Sequence, residues 1–530
     1  MISLDLPNRQ RRHALILPVF FLALAIYAIT ILWLAPPIPA SVTSYLPHVD
    51  FRVTFPSYSA QKPQTYSPVV ELEGIRMGEA FELPAANLTS DEAFDALVSD
   101  LVKRFSDLGV NTDRPDCGLN LTRYESSGIL GSLDQRDNSN ETITVALNLY
   151  NSQDILPSLS IALMRIVHVL QPTHKIYISI FENDSDDHTR EMLGDLAAAL
   201  LSQQIDGVIF RSSVLHRPED LERIVGLANI RNEALLPLML LAQDGILLFV
   251  NDVICCAQDL FELLHQLRLQ HAHGAMSTDW EASWESGSPQ GRFRDTWVAR
   301  GINGELPYPM SAPDGFTIFS PNQNWETDLW ITQNDTMHQR WLDGRPMPMY
   351  SGWNGAIAFD ATLFTRYHVR FRASGKAAWE GGDASGRMGR WGELMATPGY
   401  LESDCASSEC KLLARDIWNL LDGQARFVLA PQSRTTYNMD DWRVVSKQCP
   451  PTIRTDGEGL EEELIDWSDV SIPDEVVCVP NLDGDAREID PWSEGNMRQR
   501  FSQSPCSILV VKVLLLTMVT EPRFEGYKPA

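Results

Sequence analysis

Four acidic side chains follow a predicted buried strand in the sequence YISIFENDSDDHTREML, residues 177–193. Glu182 and Asp184 come first, and Asp186 and Asp187 precede a helix-like pattern. Open α/β sheets bind ligands beyond the carboxyl ends of their strands, so acids at this position line a crevice. Such carboxylates can hold a hard cation, Mg²⁺ or Mn²⁺, or accept hydrogen bonds from a ribose. Asp is also a common helix cap, so capping is the alternative explanation for one or two of these acids.

A second polar pair, Asn251 and Asp252, follows the apolar strand pattern GILLFV at residues 245–250. Like the first cluster, it stands at the carboxyl end of a strand, where a ligand crevice is expected. The sequence contains neither of the glycine-rich phosphate loops, G-x-G-x-x-G and G-x-x-x-x-G-K. A bound phosphate would therefore be neutralised by a metal ion, by arginine, or by both.

The elements that position these residues alternate along the chain between short apolar strands and amphipathic helices. Strands are predicted at 142–150, 175–181, 207–210 and 245–250, and helices at 90–108, 154–170, 186–204 and 218–240. This alternation is typical of an α/β fold with a mostly parallel sheet and helices on both faces.

The first 89 residues predict a membrane anchor and a stem. Arginines precede 22 uncharged residues, 14–35, which as a helix span about 33 Å and match a bilayer core of ~30 Å. The basic flank stays in the cytosol, so we predict a type II signal anchor with a cytosolic tail at 1–13. A cleaved signal peptide is the alternative. Residues 36–89, rich in Pro, Ser and Thr, predict an extended luminal stem.

Charge and cysteine content narrow the possible functions. The 70 acidic and 43 basic residues give a net charge of −27, which argues against nucleic-acid binding. An acid-rich run, DGEGLEEELIDWSDVSIPDE, lies in a predicted C-terminal extension, 451–530, that follows one domain at 90–450. Of eight cysteines, four lie between 405 and 478 and predict stapling of that region in an oxidising lumen. Cys255 and Cys256 are interpreted as buried thiols.

Eight segments, taken in order, carry a resemblance to a known family. They are VALNLYNSQDILP, IYISIFENDSDDHTREML, RIVGLANIRNEALLPL, LLFVNDVICCAQDLFELL, AMSTDWE, FRDTWVARGINGE, YSGWNGAIAFDA and SSECKLLARDIWNLL. Together they resemble the fungal capsule-associated α-1,3-mannosyltransferase family, the cryptococcal mannosyltransferase type, over roughly residues 140–440. The resemblance implies a GT-A-like (Rossmann-like) fold, a GDP-mannose donor, a glycan acceptor, a divalent metal and a Golgi or secretory-pathway membrane location.

The resemblance also implies roles for individual residues. Donor binding is expected of Asn148, Asn151, Glu182, Asp184, Arg231, Asn232 and Arg300. Metal binding is expected of Asp252 with Asn251, where GT-A enzymes usually carry two acids and this chain has one. Catalytic acids are expected at Asp279, Asp295 and Glu409, and acceptor contacts at Trp297, Trp353 and Asn354. The family form SCWNG would have Cys at Gly352, so this chain lacks one possible disulfide partner.

Simpler explanations exist for several of these residues. Arg231 could form an ion pair with Glu233 or with another acid, and Trp418 suits a core position. His271 and His273 suit a helix end, although either could complete a metal shell.

The predicted activity is transfer of mannose in α-1,3 linkage with net retention, because donor and implied product are both α-linked. Retention needs either a carboxylate nucleophile or ion-pair stabilisation of a front-face route, and the sequence leaves both open. The rival hypothesis is a non-catalytic factor for capsule or cell-wall assembly or polysaccharide export with a degenerate transferase fold.

Overall fold

Five parallel strands form one half of the main sheet in this computed structural model of the chain. They are β1 (Val69–Glu73), β2 (Thr142–Leu149), β3 (Lys175–Glu182), β4 (Gly207–Ser212) and β5 (Gly245–Val250). Their spatial order is β1-β4-β3-β2-β5, and each neighbouring pair is parallel. The four strands predicted from the sequence are confirmed, since apolar runs of this length suit strands that are covered on both faces.

The described part of the chain begins after the predicted anchor. It comprises residues 68–79, 90–115, 117–127, 129–130, 141–213, 223–241, 244–283, 289–308, 329–373, 408–448, 463–473, 475–477 and 498–500. All of these belong to one compact unit, Tyr66–Ala530. The predicted cytosolic tail, the signal anchor and most of the stem lie outside the described residues. Within the ranges given, no helix has the length and apolar character needed to cross a bilayer.

The second half of the sheet is mixed rather than parallel. Its strands are β6 (Gly274–Ser283), β7 (Gln290–Phe293), β8 (Arg300–Gly301), β9 (Met347–Ser351), β10 (Ala356–Asp360) and β11 (Phe427–Thr436). The order continues β5-β10-β6-β11-β9-β8, with β7 paired to β6. Strand β10 runs antiparallel to both β5 and β6, whereas β6 and β11 are parallel. The prediction of a mostly parallel sheet therefore holds only for the first five strands. A separate pair joins β12 (Glu475–Val477) and β13 (Arg498–Arg500).

Helices cover both faces of the sheet, as predicted. They are α1 (Asp91–Asp107), α2 (Leu156–Leu170), α3 (Thr189–Ser202), α4 (Arg223–Leu241), α5 (Ala257–Leu269), α6 (Asp335–Leu342), α7 (Thr362–Thr365), α8 (Glu409–Leu420) and α9 (Met439–Gln448). Adjacent residues of β2 show the two faces. Val145 belongs to a buried cluster with residues of α1, α2, α3 and α5, whereas Ala146 belongs to another with residues of α4 and α8.

Helix α1 illustrates how local sequence produces these elements. The Ser90 side chain accepts a hydrogen bond from the Ala93 amide at 3.3 Å and caps the helix. The predicted apolar stripe is buried, with Phe94 and Leu97 2% exposed and Leu101 and Phe105 fully covered. Burying each of these side chains contributes about 1.5–3 kcal/mol, which fixes α1 against α2 and α3.

The fold extends past both predicted domain boundaries. Strand β1, inside the predicted stem, pairs with β4, with Val69 opposite Gly207. Beyond 450, Ile465 packs in the main core, and the amide of Val477 donates to the carbonyl of Gly304 at 2.9 Å. The Pro-rich and acid-rich compositions of these regions concealed short apolar segments that complete the domain.

A disulfide joins Cys117 to Cys256, whose Cα atoms are 5.8 Å apart. The prediction that Cys256 is a buried thiol is therefore wrong, because the loop after β5 brings it against the segment that follows α1. Cys255 is a buried free thiol, as predicted, and so is Cys410. The pairing of the other late cysteines falls outside the described residues.

Candidate active site

Glu182, the last residue of β3, and Asp184 stabilise the turn that follows this strand. The fully buried carboxylate of Glu182 accepts hydrogen bonds from the amide of Ser185 and the hydroxyl of Ser212. Asp184 has a left-handed backbone, with φ 55°, and forms an ion pair with Arg190 at 3.4 Å. The two predicted donor ligands are thus engaged inside their own turn, which explains why a buried strand ends in acidic residues.

Asp187 and Asn151 complete this turn. Asp187 accepts hydrogen bonds from the amides of Thr189, at 2.9 Å, and Gln153, at 3.1 Å. Since Thr189 is the first residue of α3, the alternative explanation of a capping acid is correct here. The Asn151 side chain accepts from the Asp186 amide at 2.9 Å, so it ties the ends of β2 and β3 together.

Two amide side chains at these strand ends keep an unused acceptor. The Oδ1 atoms of Asn148 and Asn183 are buried and have no hydrogen-bond partner among the described residues. The two lie close together, because the Asn183 amide donates to the carbonyl of Leu149 at 3.0 Å. Buried polar atoms in native proteins are nearly always paired, so this place suits a ligand that donates N–H or O–H groups.

Arg231 organises the second polar pair. Its guanidinium donates to Glu409 at 2.8 Å and to Oδ1 of Asn251 at 2.9 Å, and it lies 4.4 Å from the ring centroid of Trp353. Trp353 Nε1 donates to the same Asn251 oxygen at 3.0 Å. Arg231 therefore pairs with a distant acid, as the simpler explanation allowed, and the pair fixes the side chain beside Asp252.

Asp252 is the one carboxylate of this pair. Burial raises its pKa to about 6, and the positive charges of Arg231 and Arg294 act in the opposite direction. A carboxylate with this pKa is ionised at neutral pH, and its environment favours partial neutralisation by a proton or a cation.

Tyr437 connects Asp252 to the predicted catalytic acid Asp279. Burial raises the pKa of the Tyr437 hydroxyl, and the charges of Asp279 and Asp252 raise it further. Since both acids influence one phenol, all three groups share one region. The guanidinium of Arg294 lies 3.7 Å above the Tyr437 ring, and its side chain is 41% exposed. Arg294 also lies 4.0 Å from a carboxylate oxygen of Glu281, so it is a partly exposed cation that already has one acidic neighbour.

Asp279 and Asp295 form an acidic pair next to Tyr437. Burial, followed by the charge of Asp295, raises the pKa of Asp279 well above its usual value. Asp295 accepts hydrogen bonds from the amides of Asn354, at 2.9 Å, and Val298, at 3.2 Å. Asp279 is 3% exposed, and its Oδ1 atom has no hydrogen-bond partner in the described residues. One acid is therefore held by the backbone, and the other keeps a free oxygen.

Asn354 presents a second unsatisfied group to this pair. Its buried amide oxygen and nitrogen both lack partners within the described ranges. The backbone at Asn354 has φ 56°, and its carbonyl accepts from the hydroxyl of Thr435 at 2.9 Å. Thr435 stands opposite Asp279 in the β6–β11 ladder. A Cβ atom at Gly355 would collide with Thr435, so this turn needs glycine.

Two predicted donor ligands have other partners. The buried guanidinium of Arg300 donates to the carbonyls of Val477 at 2.8 Å and Thr296 at 3.0 Å. Burial lowers the pKa of Arg300 to about 10. Burial raises the pKa of Asp295, and the positive charge of Arg300 lowers it. Asn232 exchanges two hydrogen bonds, at 2.9 and 3.1 Å, with the backbone of Phe371. Both side chains hold main-chain segments, and Nη2 of Arg300 is buried without a hydrogen-bond partner among the described residues. That they contact the donor stays a prediction.

The aromatic side chains of the site are mostly buried and offer little open ring surface to a sugar. Trp353 is 3% exposed and packs edge-on against Phe249, so its ring is closed to a sugar. Trp297 is half-buried and can still meet a ligand. Trp418 is a core residue whose Nε1 donates to the carbonyl of Tyr350 at 2.8 Å, which confirms its simpler explanation.

The side chains of this site fit a metal ion held by one protein carboxylate better than a metal ion held by protein ligands alone. Across the described ranges, no three His, Cys, Asp or Glu side chains are grouped to hold a metal ion. The Asn251 oxygen already accepts from two donors, one of them the cation Arg231, which makes it a poor ligand. Asp252 remains available, and Mg²⁺-type ions commonly use one or two carboxylates plus substrate phosphates. His273 Nδ1 accepts from the Arg426 amide at 3.0 Å, and the residue precedes β6, six positions before Asp279.

Sequence reasoning missed Arg294 and Tyr437. Arg294 precedes Asp295 inside the quoted segment FRDTWVARGINGE, yet arginine next to an acid is common on surfaces. Tyr437 follows β11 directly, so the strand-end rule that selected Asp252 would have selected it. Residues 427–436 were not among the predicted strands, and the rule was therefore never applied there.

Comparison with known proteins agrees with the resemblance seen in the sequence. A family model described as Cryptococcal mannosyltransferase 1 matches residues 142–386. Alpha-1,3-mannosyltransferase CMT1 of Cryptococcus neoformans var. neoformans serotype D is 27% identical over 367 residues, 64% of this chain and 70% of the relative. A structure of GalNAc-T7 with UDP, GalNAc and Mn²⁺ aligns with TM-score 0.31 and 12% identity, over 73% of this chain and 65% of that one. The predicted family resemblance is confirmed.

Proposed function

Because residues 142–386 relate this chain to the cryptococcal mannosyltransferase family, we propose that it is a glycosyltransferase that moves mannose from GDP-mannose to a glycan acceptor. The α-1,3 linkage and net retention are part of this proposal. The supporting observation is the set of unsatisfied buried atoms near Asp252, above all Asp279 Oδ1 and the side-chain amide of Asn354. Tyr437 links Asp252 to Asp279, and the amide of Asn251 donates to the carbonyl of Gly355, the residue after Asn354. A polyhydroxyl ligand would satisfy donors and acceptors of this kind.

In this proposal, protein groups bind the nucleoside, the diphosphate and the sugar of the donor. The free amide oxygens of Asn148 and Asn183 suit the N–H and O–H groups of a nucleoside. Arg294, the exposed cation of the cluster, stabilises negative charge on the departing diphosphate. Asp279 accepts a hydrogen bond from the sugar or approaches its reacting carbon, as the two retaining routes require.

Asp252 is the proposed anchor of Mn²⁺ or Mg²⁺. A bound ion supplies Lewis-acid stabilisation of the diphosphate, and substrate oxygens complete its coordination. Arg231 orients this region through Asn251 and counters the charge of Asp252 without being available to the ligand. Arg231 is thus a positioning residue.

We place this activity in the secretory pathway, as a single-pass type II Golgi membrane protein anchored by residues 14–35. The Cys117–Cys256 disulfide supports this location, since such bonds persist in oxidising compartments.

The test is a transfer assay with GDP-mannose and other sugar nucleotides, with and without Mn²⁺, on the full chain in detergent. We expect Asp252→Ala to lower transfer by on the order of 10²-fold, the typical cost of losing one preorganised charge contact. Asp244→Ala is the matched control, because Asp244 begins the turn before β5 and forms an exposed ion pair with Arg366. Wild-type transfer by Asp252→Ala would remove the metal assignment.

The rival, a non-catalytic assembly or export factor, draws on one observation, the single-carboxylate metal motif whose Asn251 is already engaged. It predicts no turnover of any sugar nucleotide. Calorimetry with GDP and Mn²⁺ distinguishes the two hypotheses further, because an assembly or export factor without a donor site releases no binding heat.

A further inference from the structure

Three unused polar atoms lie on one face of the sheet, at the carboxyl ends of β2, β3 and β4. They are Oδ1 of Asn148, Oδ1 of Asn183 and Nε of Arg211, all buried and without a hydrogen-bond partner among the described residues. Phe181 stands opposite Asn148 in one ladder and opposite Arg211 in the other, so these three side chains share a face. Asn183 continues the ladder through its amide, which donates to the carbonyl of Leu149 at 3.0 Å. Two positions after Phe181, it points to the same face.

Helix α4 holds Arg211 with one nitrogen unused. The guanidinium donates to the Glu233 carboxylate at 3.1 Å and to the Glu233 carbonyl, and Nε takes part in neither bond. Adjacent strands lie about 4.8 Å apart, so the Cα atoms of Asn148 and Arg211 are about 10 Å apart across β3. The Cα atom of Asn183 is about 7 Å from that of Phe181 along β3. The three unused atoms therefore border one small area of the face.

This area adjoins the proposed metal anchor. Asn148 follows Leu147, which stands opposite Val250 in the β2–β5 ladder. Asp252 comes two residues after Val250, so the two places lie at neighbouring strand ends. Nucleotides bind across such strand ends in open α/β sheets.

The polarity of the three unused atoms distinguishes between nucleobases. Two acceptors and one donor are satisfied by a ligand that offers two donor groups and one acceptor. The Watson–Crick edge of guanine carries this set, since it presents the O6 acceptor, the N1–H donor and the N2 amino donor. The corresponding edges of uracil, cytosine and adenine each carry one donor group. Each of these bases would leave a buried asparagine oxygen unpaired, which costs binding free energy.

We propose that Asn148, Asn183 and Arg211 select guanine as the base of the donor nucleotide. The two asparagine oxygens accept from N1–H and from the N2 amino group, and Nε of Arg211 donates to O6. This inference rests on the proposed transferase function and deepens it, because it assigns the choice of base to particular side chains. Arg211 thereby has two tasks, since the same guanidinium holds Glu233 of α4.

The experiment is calorimetry of GDP, IDP, UDP and ADP with the full chain in detergent and Mn²⁺. IDP differs from GDP only in lacking the N2 amino group, so the ratio of their affinities measures the contact with that group. We expect GDP to bind about tenfold more tightly than IDP, the effect of about one hydrogen bond to a buried partner. We expect it to bind on the order of 10²-fold more tightly than UDP or ADP, because these mismatch more than one group.

Single substitutions test the assignment through this ratio. Asn148→Ala and Asn183→Ala should each weaken GDP binding about tenfold, and the one that loses the N2 contact should bind GDP and IDP alike. Arg211→Met should weaken GDP and IDP equally, because both carry O6. The matched control is Asn419→Ala, at an exposed asparagine in the last turn of α8, which should keep the wild-type affinities and ratio.

The ratio separates base selection from a merely structural effect, because partial unfolding lowers the apparent affinity for GDP and IDP together. An unchanged ratio in both asparagine variants, equal binding of GDP and IDP by the wild type, or GDP binding no tighter than UDP would each overturn the base assignment. Glycosyl transfer is judged apart from these outcomes, by the transfer assay and its Asp252→Ala variant. An absence of heat with all four nucleotides would overturn the base assignment and the proposed function together.

Discussion

At the scale of single residues, the candidate site depends on one buried ion pair. Arg231 and Glu409 are 8% and 2% exposed and lie 2.8 Å apart, and the same guanidinium orients Asn251. Removing charges from water is costly, so such a pair contributes less to net stability than to fixing one arrangement of side chains. Asp252 takes its position beside this fixed arrangement.

We predict that Arg231→Met destabilises the protein by about 3–5 kcal/mol, because it leaves the buried carboxylate of Glu409 without its cation. Adding Glu409→Met should recover most of this loss, since the pair is then replaced by apolar groups. Urea unfolding followed by tryptophan fluorescence measures both, and the double-mutant cycle gives the coupling. Arg165→Met, which breaks ion pairs with the exposed Asp91 and Asp95 and a cation–π contact with Phe94 at 3.8 Å, should cost about 1–2 kcal/mol. Equal losses at the two arginines would contradict this.

Residue roles could be predicted only where position along a strand decides them. Asn251 and Asp252 stand at a strand end, and Asp252 shares a region with Asp279, whose Oδ1 atom has no hydrogen-bond partner among the described residues. The role of Arg300 could not be predicted, because its partner Val477 is 177 residues away. Likewise, the sequence does not show that Phe371 takes both hydrogen bonds of Asn232.

At the scale of elements, the first five strands and the later ones differ in how far sequence predicts them. Apolar runs such as residues 245–250 match their strands because parallel strands covered on both faces are almost wholly apolar. Strand β11 contains polar residues and a register shift between Leu429 and Arg434, so its pattern is weaker. Its end nevertheless carries Tyr437, which explains why this residue of the candidate site was not predicted.

Helix α5 shows how one element joins distant segments. Glu262 and Gln266 lie four residues apart on one face, and Gln266 bonds both Glu262 and Glu463. Arg123 pairs with Glu262 at 2.8 Å and with Glu463 at 2.9 Å. This network attaches the segment around 463 to the core.

We predict that Arg123→Met destabilises the protein by about 3–5 kcal/mol at neutral pH. Burial alone raises the pKa of Glu262, but the hydrogen bond and charge of Arg123 bring it below its usual value. A lowered folded-state pKa adds stability above the unfolded value of about 4.5, and this stability is lost as pH falls through the folded value. The gap between wild type and variant should therefore narrow below about pH 4.5. A gap that is constant from neutral to acidic pH would contradict the role of ionised Glu262.

At the scale of the whole molecule, the disulfide joins parts of the chain that are far apart in sequence. Cys117 and Cys256 are separated by 139 residues, which include β2 to β5 and α2 to α4. Closing a long loop lowers the entropy of the unfolded chain. The bond therefore links the segment after α1 to the segment after β5, which also carries Asp252.

We predict that Cys117→Ser with Cys256→Ser lowers the free energy of unfolding by about 2–5 kcal/mol, the usual effect of removing a native disulfide. Urea unfolding of the full chain measures this, and peptide mapping without reductant shows whether the two cysteines are linked in protein from a secretory host. The variant should keep binding GDP with Mn²⁺ at temperatures where it is folded, because Asp252, Asp279 and Tyr437 are unchanged. A free Cys256 thiol in the native protein, or equal stability of the variant and wild type, would contradict the prediction.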